Sequence, residues 1–155
     1  MSGAPPRRAI VARVARDSLV LLLAGVWVWS GVGKWIDLDA FRETVRAHGV
    51  LGDWVGPFVW LIPSAEIMLG VAVIVLATRA RPAVITLSAS ALVVIGLTAY
   101  VALVPSEVIA QAGCGCRGAI PSITNEPVAV YAQNAALLII HAIAAGAMRY
   151  AGRAG

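Results

Sequence analysis

Four apolar stretches, residues 18–33, 54–78, 82–106 and 127–148, leave this chain almost no choice of fold, because only Glu66 interrupts them with a charge. A helix needs about 20 apolar residues to cross a bilayer. Inside lipid every backbone N–H and C=O must be satisfied within the chain, so each stretch is predicted to be a transmembrane helix. Composition agrees, with 60% of the 155 residues hydrophobic and 13% charged. The first stretch is the shortest. Arg16 and Lys34 flank it and can snorkel to the two interfaces, while Trp27, Trp29 and Trp35 are expected as interfacial anchors. A cleaved signal peptide is the rival reading of this end, disfavoured because no small-x-small site follows the apolar core.

Positive residues set the expected orientation. Arg7, Arg8, Arg13 and Arg16 precede the first span, Arg79 and Arg81 lie between the second and third, and Arg149 and Arg153 follow the fourth. These segments are predicted to be cytoplasmic. The first outer loop balances Lys34, Arg42 and Arg46 against Asp37, Asp39, Glu43 and Asp53, and the third connection sets Arg117 against Glu107 and Glu126. Both are placed outside. The net charge of +4 is then a topology signal and gives no reason to invoke nucleic acid.

The fold predicted is an all-α, up-down four-helix membrane bundle. A basic N-terminus over 1–16 precedes one transmembrane domain over 17–149, with a short tail over 150–155. Residues 78–82 read as a tight turn that makes the second and third spans antiparallel neighbours. Gly25, Gly70, Ser88, Ser90, Gly96, Ala135, Ala136, Ala142, Ala144, Ala145 and Gly146 are expected to let helices approach closely. Leu38, Phe41 and Val45, and less regularly Val50 and Leu51, form an apolar stripe in the first outer loop. That stripe predicts a surface helix capped by Asp37 or Asp39 and lying as a lid over the bundle mouth.

Chemistry points first to Cys114 and Cys116, the only cysteines, in Gly113-Cys114-Gly115-Cys116-Arg117-Gly118. A bridge so short closes almost no loop and contributes little stability. A small Cys-x-Cys ring is strained and easily reduced, the flanking glycines admit a partner closely, and Arg117 would favour a thiolate. On the extracytoplasmic side such a pair is expected to exchange between dithiol and disulfide. A passive loop disulfide is the plainer alternative; a Cu(I) site lacks any Met or His nearby.

Glu66 stands mid-span, where a carboxylate is expensive, so it is expected to be paired, with Lys34 as the partner, or to act as a proton acceptor beneath the thiols. Pro63, three residues earlier, can kink or break the helix. Asn134 and His141 share a face of the fourth span, and only Asn134 and Gln133 fall in the leaflet of the cysteines. For His141 a hydrogen bond between helices is preferred over proton relay or contact with a quinone ring. Tyr100 and Tyr131 read as interfacial residues. No nucleotide loop, zinc-ligand cluster or nucleophile-base pair supports a kinase or hydrolase.

Ser30-Gly31-Val32-Gly33-Lys34-Trp35-Ile36-Asp37 with Phe41, Pro63-Ser64-Ala65-Glu66 with Gly70, Cys114-Gly115-Cys116-Arg117-Gly118 and Asn134 together resemble the methylamine-utilisation MauE family, a branch of the DoxX-like membrane proteins. The likeness runs from about residue 20 to about 148. It departs from the family pattern at Arg117, where an aromatic or aliphatic residue is usual. The resemblance implies a helper in extracytoplasmic thiol-disulfide chemistry in the cytoplasmic membrane. It would work beside a thioredoxin-fold, MauD-like partner, as in maturation of the disulfide-rich subunit of methylamine dehydrogenase. Cys114, Cys116, Arg117, Glu66 and Lys34 would serve the site, and a quinone could lie near Asn134 and Trp35. The wider DoxX likeness also admits a subunit of a thiosulfate- or sulfur-oxidising quinone reductase, and a non-catalytic assembly factor is the third class.

Overall fold

A computed structural model of the chain describes residues 7–52, 55–76, 80–115 and 126–153. Among them every regular element is helical: α1 Arg7–Ile36, α2 Leu38–His48, α3 Val55–Phe58, α4 Leu61–Leu76, α5 Ala80–Ala102, α6 Ser106–Ala112 and α7 Pro127–Arg153. Four segments are long and apolar enough to cross a membrane: Arg13–Ile36, Gly56–Leu76, Val84–Ala102 and Pro127–Met148. Burial is inverted relative to a protein built for water. Ile36, Met68, Leu92, Leu103 and Val128 point outward, while Ser90, Lys34, Glu66 and His141 are buried. A broadly apolar exterior, with charged and polar groups held inside an otherwise apolar core, suits lipid as the solvent, and the chain is a multi-pass membrane protein.

The shortest apolar run gives the longest helix. α1 has 30 residues, about 45 Å of rise against a hydrocarbon core of about 30 Å. Its Arg-rich start keeps helical geometry because Arg and Ala are strong helix formers, and Arg16 pairs with Asp17 at 2.8 Å.

α1 packs on α4 and α7, and α5 packs on α7 and α4, which closes a ring of four. The α1/α4 seam is the tight one. A Cβ on Gly31 would stand 2.7 Å from the Pro63 carbonyl oxygen, and one on Gly70 would stand 2.9 Å from that of Ala24. Close approach is therefore confined to fewer small residues than the sequence reading assigned. Gly25, Gly96 and Gly146 have no neighbour within 4 Å of such a Cβ, and Ser88, Ala135, Ala136 and Ala142 are exposed.

The break expected at Pro63 falls earlier. Val59 and Trp60 form a turn between α3 and α4, and Pro63 sits in the first turn of α4, where its missing N–H costs nothing. The Ser64 hydroxyl donates to the Trp60 carbonyl at 2.8 Å and caps the break. α5 begins at Ala80, so Arg81 and Pro82 belong to its first turn rather than to a connecting turn. Residues 78 and 79 of that turn lie outside the described residues.

The lid helix forms as its stripe demands. The Asp37 carboxylate accepts from Ala40 N at 2.9 Å, and Gly49 closes the helix in left-handed conformation with φ of 70°. Phe41, Val45 and His48 make its buried face. Val50 and Leu51 lie beyond the helix and contribute no part of that face. The connection after α5, read as a loop, contains a further short helix. α6 is anchored by Ile109, which packs into a cluster with Val101, Val104 and Val130.

Candidate functional site

Cys114 emerges from α6 between two left-handed glycines. Gly113, with φ of 79°, ends α6 and donates its N–H to Ile109 O at 2.8 Å; Gly115 has φ of 67°. That reversal turns the chain from α6 onto the lid. A side chain at 115 would meet the Phe41 ring and Thr44 Cγ2 at 3.4 Å, so the backbone beside Cys114 lies against α2. Cys116 and Arg117, the rest of the expected thiol site, fall outside the described residues.

His48 holds the same segment and was overlooked in the sequence. Its ring is buried, with Nε2 2.9 Å from the Gly113 carbonyl oxygen and Nδ1 2.8 Å from the Tyr100 hydroxyl. A carbonyl can only accept, so Nε2 carries the proton and the Tyr100 hydroxyl donates to Nδ1. Tyr100 is thereby a structural partner of the lid rather than an ordinary interfacial residue. The signal in the sequence was spacing: 41, 45 and 48 share one face of α2, and a histidine on an otherwise apolar stripe asks for a partner.

Lys34 and Glu66 meet as expected. The ammonium donates to both carboxylate oxygens at 2.7 Å and to Ser30 Oγ at 2.7 Å. Both side chains are almost fully buried. Lys34 does not snorkel to the interface, because Ser30 lies four residues back along α1 and Glu66 draws the ammonium inward. The Phe41 ring centroid is 5.5 Å from the ammonium. Phe41 therefore touches the ion pair and also lies against the position beside Gly115, standing between the charges and the thiol segment.

A second polar chain crosses the core. Trp27 Nε1 donates to Ser90 Oγ at 2.7 Å, Ser90 Oγ lies 2.6 Å from His141 Nε2, and His141 Nδ1 lies 2.7 Å from the Leu137 carbonyl. The carbonyl fixes the proton on Nδ1, and Ser90 donates to Nε2, so each polar hydrogen of Trp27, Ser90 and His141 has an acceptor. His141 is thus the interhelical hydrogen bond expected. Trp27, expected as an interfacial anchor, is 5% exposed and serves the core instead. Trp29, Trp35 and Tyr131 do face outward. Asn134 Nδ2 donates to Thr98 Oγ1 at 3.0 Å, and Thr98 donates to Val94 O at 2.7 Å.

These groups surround one cavity of about 570 Å³ under the lid. Cys114 and Gly115 lie on its wall with Phe41 and Leu51, Lys34 and Glu66 on another side, and Asn134 and His141 deeper along α7. Trp35 is not among its lining residues. The arrangement brings a thiol, an ion pair and a largely apolar, ligand-sized space together.

No curated protein and no solved structure matches the chain. A family model does, described as methylamine utilisation protein MauE and matched over residues 9–148. With nearly the whole chain covered and the four spans in place, this protein belongs to the MauE family.

Proposed function

We propose that this MauE-family protein carries electrons for extracytoplasmic disulfide chemistry, exchanging a Cys114–Cys116 disulfide with a thioredoxin-fold partner of the MauD kind. The observation that supports it most is Cys114, placed between two left-handed glycines at the wall of the cavity. The flanking glycines add no side chains of their own beside a partly buried sulfur, which favours close approach by a partner thiol.

In the exchange a partner thiolate attacks one sulfur of the Cys114–Cys116 bond and forms a mixed disulfide. The partner's second thiolate then displaces it. The partner leaves as a disulfide, and two electrons and two protons remain here as a dithiol. Run in reverse, the Cys114/Cys116 dithiol reduces a partner disulfide to a dithiol and returns to the Cys114–Cys116 bond, with the same two electrons and two protons passing to the partner. The basic segments, expected on the cytoplasmic side, support an extracytoplasmic position for this site, where disulfides persist. The cavity is large enough for a quinone ring, and Asn134 on its wall has an amide that could face a ring carbonyl. A quinone bound there would supply a two-electron, two-proton acceptor for the dithiol. Under this reading the substrate is a disulfide-rich extracytoplasmic protein, as the family description in methylamine utilisation fits.

The test is a redox titration of the membrane-embedded protein in graded glutathione buffers, read by thiol alkylation. A midpoint well above roughly −300 mV, the range below which structural disulfides lie, is expected. Cys114→Ser and Cys116→Ser variants should each be tried for trapping a mixed disulfide with a thioredoxin that keeps only its attacking cysteine, activated as the 2-nitro-5-thiobenzoate disulfide, so that the remaining thiolate here displaces 2-nitro-5-thiobenzoate. A bond that stays oxidised at every poise, with no trapped species from either variant, overturns the proposal.

A further inference from the structure

The exchange proposed above needs Cys114 held in one place, and the described segment is held in part by its own helix, through Gly113 N–H to Ile109 O at 2.8 Å, and by packing of Cys114 on the Val101, Val104, Ile109 and Val130 cluster. α6 ends at Ala112, Gly113 and Gly115 are in conformations that confer freedom rather than order, and the contact of Thr44 Oγ1 with Ala112 O is long at 3.4 Å. The short side-chain tie from the lid helix to this segment is from His48. Its Nε2–H holds the carbonyl of Gly113, the residue that immediately precedes Cys114, at 2.9 Å.

We propose that His48 is the positioning residue of the thiol site, fixing the backbone that presents Cys114, with Tyr100 locking the histidine in the tautomer this requires. The inference rests on the exchange reading for its purpose and on geometry for its substance. A neutral imidazole has one N–H. It reaches Gly113 only if Nδ1 is the acceptor, and the Tyr100 hydroxyl at 2.8 Å supplies the donor that makes it so. The ring also stacks obliquely on Tyr100, centroids 5.6 Å apart, which removes its rotational freedom. His48 itself is rigid because α2 is capped at both ends, by Asp37 and by Gly49. The order therefore runs from a capped lid helix, through one imidazole, to the carbonyl next to the sulfur. Tyr100 belongs to α5, so the same histidine also fastens the lid to the bundle. A loop tied this way presents Cys114 in one pose to an incoming thiolate; an untied loop samples many.

The experiment uses the full-length Cys116→Ser protein in lipid nanodiscs, so that Cys114 is the only thiol, and follows its reaction with N-ethylmaleimide. Losing one net neutral hydrogen bond moves the tied-to-untied balance by about fivefold. His48→Ala is expected to speed labelling by about that factor. His48→Gln, whose amide N–H can still reach the Gly113 carbonyl, should restore the original rate. Tyr100→Phe, which leaves the fold's packing nearly unchanged, should give an intermediate gain and keeps the test valid if His48→Ala does not fold. In the protein with both cysteines, His48→Ala should also slow mixed-disulfide exchange with reduced thioredoxin, and His48→Gln should recover it. Equal labelling in all the variants, or equal rates for His48→Ala and His48→Gln, overturns the proposal. So does faster labelling with unchanged exchange, which leaves thiol exchange itself standing. If the unsubstituted protein shows no exchange, the redox reading falls, and the labelling series alone decides whether His48 positions Cys114.

Discussion

Removing Glu66 should leave a buried ammonium with no counter-charge, and the structure fixes how much that costs. Lys34 Nζ lies 2.7 Å from each carboxylate oxygen. At that distance the attraction is about 6 kcal/mol for an effective dielectric near 20, before desolvation is deducted. Counted as two charge-assisted hydrogen bonds the pair is worth about 3–6 kcal/mol. Buried pairs broken from one side lose about 3–5 kcal/mol, so the three lines of reasoning meet. Glu66→Ala is therefore expected to destabilise the bundle by about 3–5 kcal/mol. The double variant Lys34→Met, Glu66→Leu removes both charges and fills the space with apolar atoms, so it should return to within about 1 kcal/mol of the original protein. Reversible unfolding in mixed micelles of a mild detergent and dodecyl sulfate, followed by tryptophan fluorescence, measures both. A loss below about 1 kcal/mol for Glu66→Ala, or a double variant less stable than the single one, refutes the reasoning. The double variant also separates two roles. Restored folding with intact thiol exchange makes the pair a fastener of α1 to α4; restored folding without exchange makes it part of the chemistry.

Gly70→Ala should cost about 1–3 kcal/mol, because the new methyl meets the Ala24 carbonyl of α1 and forces the seam apart, whereas Gly25→Ala, with open space around it, should stay within about 0.5 kcal/mol; the same micelle unfolding compares them. Ser90→Ala strands the Trp27 N–H and the His141 Nε2 together, each left without a partner at a cost of about 1–3 kcal/mol, and the loss should appear as a red or blue displacement of Trp27 emission as well as lower stability. Gly115→Ala forces a side chain into left-handed backbone at a cost of about 1–2 kcal/mol, and thiol labelling should show Cys114 displaced while the stability of the four spans is unchanged.

What the sequence made legible was what repeats locally. Apolar length gave four spans, and the 3.6-residue stripe with Asp37 gave the lid helix and its cap. A carboxylate stranded in lipid names its own need, and Lys34 was the nearest basic residue able to meet it. Partners across the bundle leave no such trace. Trp27 and Ser90 are 63 residues apart, and a tryptophan near a helix end looks the same whether it anchors to lipid or bonds within the core. The small residues misled for a related reason: an alanine or glycine in a span permits close packing, but which face it occupies depends on neighbours that only the fold supplies. For Lys34 the sequence offers two readings, a snorkelling end residue and the partner of Glu66, and the contacts with Glu66 and Ser30 decide for the second.

His48 shows how the two kinds of information join. Its position on the stripe was readable, yet its role depended on Gly113 and Tyr100, 65 and 52 residues away. Phe41 and His48 lie two turns apart on the same buried face of α2. One stands between the ion pair and the thiol segment, and the other holds the carbonyl next to Cys114. A single helix thus contacts both the buried ion pair and the thiol segment, while all of them face one cavity. That division has a physical logic. A Cys114 thiolate in direct contact with the Lys34 ammonium would compete with Glu66 for it and loosen the seam between α1 and α4, whereas an imidazole bonded to the Gly113 carbonyl orders the cysteine segment without drawing on that ion pair. Tilting the lid would therefore change the thiol's pose before it changed the ion pair, and a partner that docks on α2 would act on Cys114 through His48.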